Sequence, residues 1–299
     1  MTVSITSNSS LELLRQSYYL SSVNAVVQLF KEGLSSVIVP DDTRAVEIVA
    51  QSRPKALRIY DQIPMRSRDL LQQVKLIAPY LAGKSIAFMG DYDSTSLLIG
   101  LLSKLGSIPN PKHMLLLDFD ERLLATARKL ASQYDFNDIL ETRLYNAFDP
   151  IPVELIGKFD WFYTNPPYGC HNKGESARLF ITRGCELVRQ NDANGCIILP
   201  DDNNRPWTRT AMYSTQQFLF EHGWMIDEKI NKFHKYHLDD DRELASSVIL
   251  VKRDGNFPIQ QRIMPYAGRR VEFDEIPYFY GRSVSSPYPQ YISQDSKYE

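Results

Sequence analysis

The sequence predicts an α/β protein with a doubly wound, Rossmann-like sheet, preceded by a small and mainly helical N-terminal segment. From residue 84 onward, short and continuously apolar runs alternate with segments of helical periodicity. Such uninterrupted runs indicate parallel strands buried on both faces. An acid or an amide follows each of the first five runs, where a doubly wound sheet binds its ligands.

The elements can be placed from these runs. The predicted strands are 85–89, 114–117, 139–144, 161–164 and 196–199, with 229–235 and 247–252 as a closing hairpin. The predicted helices are 43–52, 69–78, 94–105, 121–134 and 176–190, the third capped by Ser94 or Thr95. We therefore expect a helical segment over 1–80, the Rossmann-like catalytic domain over 81–253, and a Tyr- and Pro-rich surface extension over 254–299.

Composition narrows the class of protein. The chain has 299 residues, of which 43% are hydrophobic, so it can bury a core without disulfides or a structural metal. Its 34 basic and 36 acidic residues give a net charge of −2, which provides no overall positive field for nucleic acid. The oligomeric state is left open, a homo-oligomer included.

Cysteine usage and hydropathy bear on the location. Cys170, Cys185 and Cys196 lack the close spacing of a zinc site, so we expect no metal and a reducing, cytoplasmic compartment. The N-terminus has no signal-peptide pattern, and no apolar run approaches the ~18 residues that cross a bilayer. We therefore expect no membrane association.

The loop after the first strand is acidic. Gly90-Asp91-Tyr92-Asp93 stands where a dinucleotide site has GxGxxG, and its carboxylates would repel a pyrophosphate. A nicotinamide dehydrogenase is therefore disfavoured. Helix capping is the alternative role for Asp91 and Asp93, but two acids exceed what one cap requires.

Acids also follow the second and third strands. An acid after the second strand of such a sheet commonly binds the ribose of a nucleoside-containing cofactor. Asp118 is the ribose candidate, because Asp120 fits the cap of the next helix better. Asp149 is expected near the adenine, although Asp149-Pro150-Ile151-Pro152 is also an ordinary turn.

Asn165-Pro166-Pro167-Tyr168, after the fourth strand, is the most specific short motif. The two prolines fix the backbone and remove two N–H donors, so the Asn165 side chain and the nearby carbonyls are held rigidly. Rigid acceptors can bind an amino group, and Tyr168 can stack on a planar or cationic substrate. A plain Pro-Pro turn is the alternative.

A second polar cluster lies near the predicted hairpin. Residues 234–237 contain two histidines and precede the acidic run 239–241, which suggests a metal site. Because a strand lacks the fixed i, i+4 geometry of helical ligands, a solvated loop is the better interpretation. Phe233, His234 and Tyr236 remain candidates to line the substrate pocket. Cys170 is expected to be a small packing residue.

Five segments together resemble the branched-chain polyamine synthases, the N4-bis(aminopropyl)spermidine synthases. Residues 90–96 are similar to their Gly-Asp-Asp-Asp-x-Thr-Ser loop, and 117–123 to their Leu-Asp-x-Asp-Glu-Arg segment. Residues 164–168 resemble their Thr-Asp-Pro-Pro-Tyr element. Residues 60–62 and 179–184 resemble a Tyr-Asp-Gln segment and a Phe-hydrophobic-Ser-Arg-Gly helix. The matches occur in order.

This resemblance implies a class I methyltransferase-type fold that uses decarboxylated S-adenosylmethionine as aminopropyl donor and a polyamine as acceptor. Asp91 and Asp93 would attract the ammonium of that donor and repel the carboxylate of ordinary S-adenosylmethionine. Because alkyl amines have a pKa near about 10, the attacking amine needs a base, for which Asp91 or Asp93 is expected.

The candidate site residues follow. They are Asp91, Asp93, Asn165 and Tyr168 for catalysis, Gly90, Asp91, Asp118, Asp120, Asp149 and Asn165 for the cofactor, and Tyr92, Pro166, Pro167, Tyr168, Phe233 and His234 for the substrate.

Two departures from the family pattern leave alternatives open. Tyr92 replaces the middle acid of the loop and Asn165 replaces the aspartate before Pro-Pro, so both remove negative charge. Asn165 also recreates the motif of N-methyltransferases that use S-adenosylmethionine on an exocyclic amino group of a nucleobase or glutamine. Only in that case is nucleic acid a partner, with Arg205, Trp207 and Arg209 contacting its backbone and stacking on a base; a plain surface loop is the favoured alternative for this cluster. A third alternative is a catalytically degenerate binding or assembly module.

Overall fold

The computed structural model describes residues 40–238, 243–253 and 263–281. Residues 1–39 of the predicted N-terminal segment and the acidic run 239–241 lie outside the described residues. The helices are Pro40–Ser52 (α1), Ser67–Leu81 (α2), Thr95–Lys104 (α3), Glu121–Gln133 (α4), Glu175–Leu187 (α5) and Pro206–Glu221 (α6). The strands are Ser85–Met89 (β1), His113–Asp118 (β2), Leu140–Leu144 (β3), Trp161–Thr164 (β4), Ala193–Pro200 (β5), Met225–His237 (β6) and Glu243–Arg253 (β7).

The seven strands form one sheet in the order β3-β2-β1-β4-β5-β7-β6. Strands β1 to β5 pair in parallel, whereas β7 lies antiparallel between β5 and β6. The doubly wound α/β prediction and the closing hairpin are confirmed. The order reverses between β1 and β4, so the switch point, where such sheets bind ligands, lies there.

Sequence periodicity located most elements but missed α6. Strands β1 and β4 begin and end where predicted, because each is a continuous apolar run bounded by polar residues. Helix α6 is rich in Thr and Gln, which obscures its apolar stripe, and its clearest signal is Pro206 at its first position. Trp207 and Arg209 therefore lie on a helix, and the predicted surface loop is wrong.

The two faces of the sheet pack against different helices. Ile86 and Phe88 point to the face covered by α1 to α4, while Ala87 and Met89 point to the face covered by α5 and α6. This alternation follows from the two-residue period of a strand. Because both faces are buried, the carboxyl edge of the sheet remains for ligand binding.

The C-terminal segment 263–281 packs into the hydrophobic core on the α5 and α6 face of the sheet. Val271, Ile276 and Phe279 are fully buried there. The buried guanidinium of Arg183 donates to the carbonyls of Tyr266 and Arg269, both at 2.8 Å. The predicted surface extension is therefore wrong for this part of the chain. Its apolar residues have neither a helical nor a strand period, which is why the sequence did not reveal them.

Two further observations concern the whole described chain. No helix among the described residues has the length and hydropathy that crossing a membrane requires. Cys170, Cys185 and Cys196 are all free thiols. The proposed division of the chain at residues 81 and 254 stays a prediction.

Candidate active site

A cavity of about 220 Å³ lies at the carboxyl ends of the parallel strands, at the switch point between β1 and β4. Its walls come from the loops that follow β1, β2, β3 and β4, from the ends of β6 and α6, and from the segments around Tyr60 and Tyr280. The predicted site residues that line it are Gly90, Asp91, Tyr92, Asp93, Asp118, Asn165, Pro166, Pro167 and Tyr168.

Asp91 joins the cavity to helix α3. Its carboxylate oxygens accept the backbone N–H groups of Thr95 at 2.9 Å and of Ser96 at 2.8 Å. Ser94 occupies the N-cap position of α3, as predicted, but its side chain makes no capping bond, and the Asp91 carboxylate caps the helix instead. Burial raises the pKa of Asp91 to about 7, although these N–H groups favour its charged form.

Asp118 is fixed in a similar way at the end of β2. One carboxylate oxygen accepts the backbone N–H of Asp91 at 3.0 Å, and the other accepts that of Asp120 at 2.8 Å. Burial raises the pKa of Asp118 to about 7 as well. Two carboxyl groups with pKa values near neutrality thus lie side by side above β1 and β2.

Asp93 lies at the junction between the loops after β1 and β4. Its Oδ1 accepts the backbone N–H of Met65 at 2.7 Å, and its Oδ2 accepts Nδ2 of Asn165 at 2.5 Å. Burial raises its pKa, while the Arg53 guanidinium and the hydrogen bonds from Met65 and Asn165 oppose this shift. A carboxylate with a raised pKa is a better proton acceptor than an ordinary aspartate.

The Asn-Pro-Pro-Tyr turn is anchored at both ends. The Thr164 hydroxyl donates to the Met89 carbonyl at 2.8 Å, which ties the end of β4 to the end of β1. Beyond it, Asn165 Nδ2 donates to the Tyr236 hydroxyl at 3.1 Å, and the Tyr168 hydroxyl donates to Asn165 Oδ1 at 3.1 Å. The Asn165 amide is therefore held by side chains on both its nitrogen and its oxygen.

Gly90 suits both the backbone conformation and the close packing at its position. Its φ is +69°, in the left-handed region that favours glycine. A Cβ atom there would also lie 3.0 Å from Cε1 of Phe180, which lines the cavity. Glycine thus permits both the turn after β1 and the close approach of the phenyl ring.

Three aromatic rings form a wall beside Asp118. The Phe119 ring lies 5.2 Å from that of Tyr60 and 6.3 Å from that of Tyr280, between ring centroids. The rings of Tyr60 and Tyr280 lie 5.5 Å apart, edge to face. These flat side chains suit a planar group next to a ribose-binding carboxylate. Sequence periodicity could not reveal Tyr280, because the segment that carries it has no helical or strand period.

This arrangement can be compared with known proteins. The sequence model of the branched-chain polyamine synthase A C-terminal domain matches residues 41–272. The chain belongs to this family. The resemblance drawn from the five sequence segments is thereby confirmed.

Relatives in the branched-chain polyamine synthase family carry specific names. The chain is 28% identical over 237 residues to the N(4)-bis(aminopropyl)spermidine synthase of Thermococcus kodakarensis, covering 76% of this chain and 64% of the relative. It is 26% identical over 189 residues to the synthase of the same name from Thermus thermophilus, covering 62% and 51%. The match thus spans between half and two thirds of these relatives.

A solved structure of the family shares the fold. The branched-chain polyamine synthase of Thermus thermophilus, in complex with N4-aminopropylspermidine and 5′-methylthioadenosine, superposes with a TM-score of 0.61 at 23% identity. The match covers 77% of this chain and 67% of that chain. The class I methyltransferase-type fold is confirmed.

Two of the predicted cofactor residues do not line the cavity. The Asp120 side chain accepts the Arg122 N–H at 3.1 Å as the cap of α4, and its other oxygen accepts Gln62 Nε2 at 2.9 Å. Asp120 thus supports the cavity wall through Gln62, which lines the cavity, without lining it itself. Asp149 lies at the surface, 3.7 Å from the Arg270 guanidinium. The residue before it, Phe148, lines the cavity instead.

Two predicted substrate residues also lie elsewhere. Phe233 packs against the core on the α1 to α4 face of the sheet, and His234 is fully buried with Nδ1 2.9 Å from the Ser246 hydroxyl. Of this cluster, Tyr236 lines the cavity. Strand β6 runs parallel to β5, so Tyr236 lies at the carboxyl edge of the sheet while His234 lies two residues below it.

The two departures from the family pattern have structural consequences. Tyr92 does not add charge to the loop but donates its hydroxyl to the Pro54 carbonyl at 2.9 Å, which ties the loop to the segment before α2. Asn165 donates to Asp93 where the family pattern has a second carboxyl group. Asp93 is therefore the carboxylate of this pair.

Proposed function

We propose that this chain transfers the aminopropyl group of decarboxylated S-adenosylmethionine to an amine of a polyamine. The observation that carries the proposal is the acidic lining of the cavity, where Asp91, Asp93 and Asp118 lie at the switch point of a class I fold. Both substrates are cations, and buried carboxylates attract them in a cavity of low dielectric. The names of the relatives support the same reaction.

The donor fits the half of the cavity above β1 to β3. Asp118 would bind the ribose hydroxyls, and the rings of Tyr60, Phe119 and Tyr280 would contact the adenine. Asp91 would attract the ammonium at the far end of the donor. The pKa values of Asp91 and Asp118 near 7 mean that a bound cation favours the ionised form of both groups.

The chemistry is a displacement at the carbon attached to the sulfonium. The nitrogen lone pair of the acceptor forms the new N–C bond while the C–S electron pair goes to sulfur, which leaves neutral 5′-methylthioadenosine. Asp93 would take the proton that the amine loses, directly or by way of solvent. Tyr168 would place the amine, since its ring lines the cavity beside Asp93.

The N-methyltransferase alternative requires a different use of the same turn. In that reaction the Asn165 amide oxygen accepts a hydrogen bond from the target amino group. Here that oxygen already accepts from Tyr168, and the amide nitrogen donates to Asp93. The internal bonds therefore favour aminopropyl transfer.

No metal is assigned a role. Among the described ranges, no group of three or more His, Cys, Asp or Glu side chains has an arrangement that would hold an ion. Burial raises the pKa of the Cys170 thiol, so it is not a ready nucleophile. The cytoplasmic location stays a prediction, and the oligomeric state stays open.

The test is a transfer assay on the full chain with decarboxylated S-adenosylmethionine and a diamine, a triamine and a tetraamine. Mass spectrometry should detect 5′-methylthioadenosine and an amine that has gained an aminopropyl group. The Asp93→Asn variant should lose this product while it keeps the wild-type melting temperature within a few degrees. Methylated product from ordinary S-adenosylmethionine would instead establish the N-methyltransferase, and donor binding without any product would establish the binding module.

A further inference from the structure

A line of hydrogen-bonded side chains leads from the cavity into the sheet at β6 and β7. The Tyr236 hydroxyl, which accepts from Asn165 Nδ2 at 3.1 Å, lies 3.4 Å from the Ser246 hydroxyl. Behind it, His234 Nδ1 lies 2.9 Å from the same serine oxygen. Tyr236, Ser246 and His234 are all buried, although the chemistry proposed above uses none of them.

Donors and acceptors can be assigned along this line. Asn165 Oδ1 can only accept, so Tyr168 gives it the single proton of its hydroxyl. The 3.4 Å contact between the hydroxyls of Tyr168 and Tyr236 then uses the Tyr236 proton. Tyr236 in turn accepts from Ser246, and Ser246 accepts from His234 Nδ1–H. The donors from His234 through Ser246 and Tyr236 to Tyr168 thus point toward the cavity, and Tyr236 also accepts from Asn165 Nδ2.

The state of His234 agrees with this direction. Burial lowers the pKa of His234 to about 3, so the ring is neutral and carries one N–H. Its Nε2 is buried and has no hydrogen-bond partner in the described part of the chain. An N–H at Nε2 would be an orphan donor, so the proton belongs on Nδ1, where Ser246 accepts it.

We propose that Tyr236, oriented by Ser246 and His234, is a positioning residue that fixes the Asn165 amide with its nitrogen toward Asp93. A reversed amide would place Oδ1 about where Nδ2 now lies, 2.5 Å from a carboxylate oxygen, and two acceptors repel at that distance. Tyr236 opposes this reversal, because it accepts from Nδ2 and supports the hydroxyl that holds Oδ1. The link to catalysis rests on the proposed function, in which Asp93 takes the proton of the amine.

The pKa of Asp93 reports the orientation of the amide. The charged or titratable groups that face this carboxyl are Arg53, Asp91, Tyr92, Tyr163, Tyr168 and Tyr236. The amide of Asn165 adds a hydrogen bond that lowers the pKa of Asp93. Of the interactions that set the pKa of Asp93, the hydrogen bond from Asn165 is the one that Tyr236 controls.

The test combines Tyr236→Phe, Ser246→Ala and the double variant with Tyr163→Phe as control. Tyr163 also buries a bonded hydroxyl, 2.9 Å from Gln73 Nε2, but does not line the cavity. Carboxyl NMR titration of the ligand-free protein measures the pKa of Asp93, and the pH dependence of kcat provides a second readout. Tyr236→Phe should raise the pKa of Asp93, move the acidic limb of kcat to higher pH, and lower kcat by about tenfold at unchanged KM.

Ser246→Ala should shift the pKa of Asp93 in the same direction by less. The double variant should not exceed Tyr236→Phe alone, because residues in series are not additive. Tyr163→Phe should lower the melting temperature but leave the pKa of Asp93 unchanged, because burial raises the pKa of Tyr163, so its hydroxyl stays neutral, and that hydroxyl bonds to Gln73 and Thr95 rather than to Asp93 or Asn165. An unchanged pKa in Tyr236→Phe, or an equal shift in Tyr163→Phe, would overturn the positioning role. The expected NMR shifts in a protein without aminopropyl transfer would uphold it while the proposed function fails.

Discussion

Asn165 donates a hydrogen bond to Asp93, with Nδ2 2.5 Å from Oδ2. The two residues follow β4 and β1, the strands on either side of the switch point, and are 72 positions apart in the chain. The contact joins the two loops across the mouth of the cavity. Because an amide supplies the proton, Asp93 keeps its own negative charge at neutral pH more readily than it would beside a second carboxyl group.

Asn165→Asp should change how stability depends on pH. Two carboxyl groups at this distance cannot both ionise freely, so one folded-state pKa rises well above its unfolded value of about 3.9. The contribution of that group is present at low pH and is lost as pH rises through the raised pKa. Urea denaturation between pH 5 and 9 should show a deficit relative to wild type that grows with pH.

Asn194→Asp is the matched control for this substitution. Asn194 lies on β5 and does not line the cavity, so the variant adds the same charge elsewhere. Its deficit should stay constant over the range. Parallel stability curves for Asn165→Asp and wild type would show that Asp93 and residue 165 do not interact as the structure indicates.

The carboxyls of Asp91 and Asp118 should make the wild-type protein more stable at mildly acidic pH. Burial raises both pKa values from 3.8 to about 7. Between these values the folded state binds more protons than the unfolded state, so the free energy of unfolding falls as pH rises from 4 to 7. Each group contributes a slope of at most about 1.4 kcal/mol per pH unit.

Asp118→Asn isolates one of these two contributions. The variant should show a shallower fall in the free energy of unfolding between pH 5 and 7, measured by urea denaturation. Above about pH 8 the curves of variant and wild type should run parallel. An identical slope in the variant over the acidic range would mean that Asp118 titrates like an exposed aspartate.

Gly90→Ala should reduce both stability and donor affinity. The substitution adds a Cβ 3.0 Å from Phe180 at a position with φ of +69°. Gly83→Ala is the control, because Gly83 has φ of +65° but no atom within 4 Å of its added Cβ. Backbone strain of about 1 kcal/mol should appear in both variants.

The two glycine variants should differ in their response to ligand. Calorimetric titration with 5′-methylthioadenosine should show a weaker affinity for Gly90→Ala and wild-type affinity for Gly83→Ala. Equal affinities in the two variants would indicate that the contact between residue 90 and Phe180 does not shape the cavity.

Asp120→Ala should destabilise the protein without weakening donor binding. The variant loses the cap of α4 and the acceptor for Gln62, and a lost cap alone costs about 1 kcal/mol. The backbone N–H of residue 120 would still hold Asp118 Oδ1. A melting temperature lower by several degrees with unchanged affinity for 5′-methylthioadenosine is expected. A large loss of affinity would instead show that Asp120 contributes to donor binding.

The sequence predicted the residues at the carboxyl edge of the sheet better than those that reach the cavity from other segments. Acids and amides that directly follow buried strands must meet at the carboxyl edge, so Asp91, Asp93, Asp118 and Asn165 were placed correctly in the cavity wall. Which carboxylate faces inward depends on hydrogen bonds that the sequence does not show. Asp120, for example, does not line the cavity, because its carboxylate accepts hydrogen bonds from Gln62 and Arg122.

Longer-range contacts were harder to predict for a different reason. Tyr236 enters the cavity and His234 does not, a distinction set by where β6 crosses the edge of the sheet. Tyr280 reaches the cavity because Phe279 and Ile276 anchor a segment with no regular period. Such packing depends on the three-dimensional surface of the core, which hydrophobic periodicity does not describe.

The central claim is that buried carboxylates select a donor with a positively charged tail. Calorimetric titration at pH 8 with decarboxylated and with ordinary S-adenosylmethionine tests it most directly, with 5′-methylthioadenosine as the reference that lacks either tail. The decarboxylated donor should bind at least about tenfold more tightly than the ordinary one, which corresponds to about 1.4 kcal/mol. Equal or tighter binding of ordinary S-adenosylmethionine would contradict the claim.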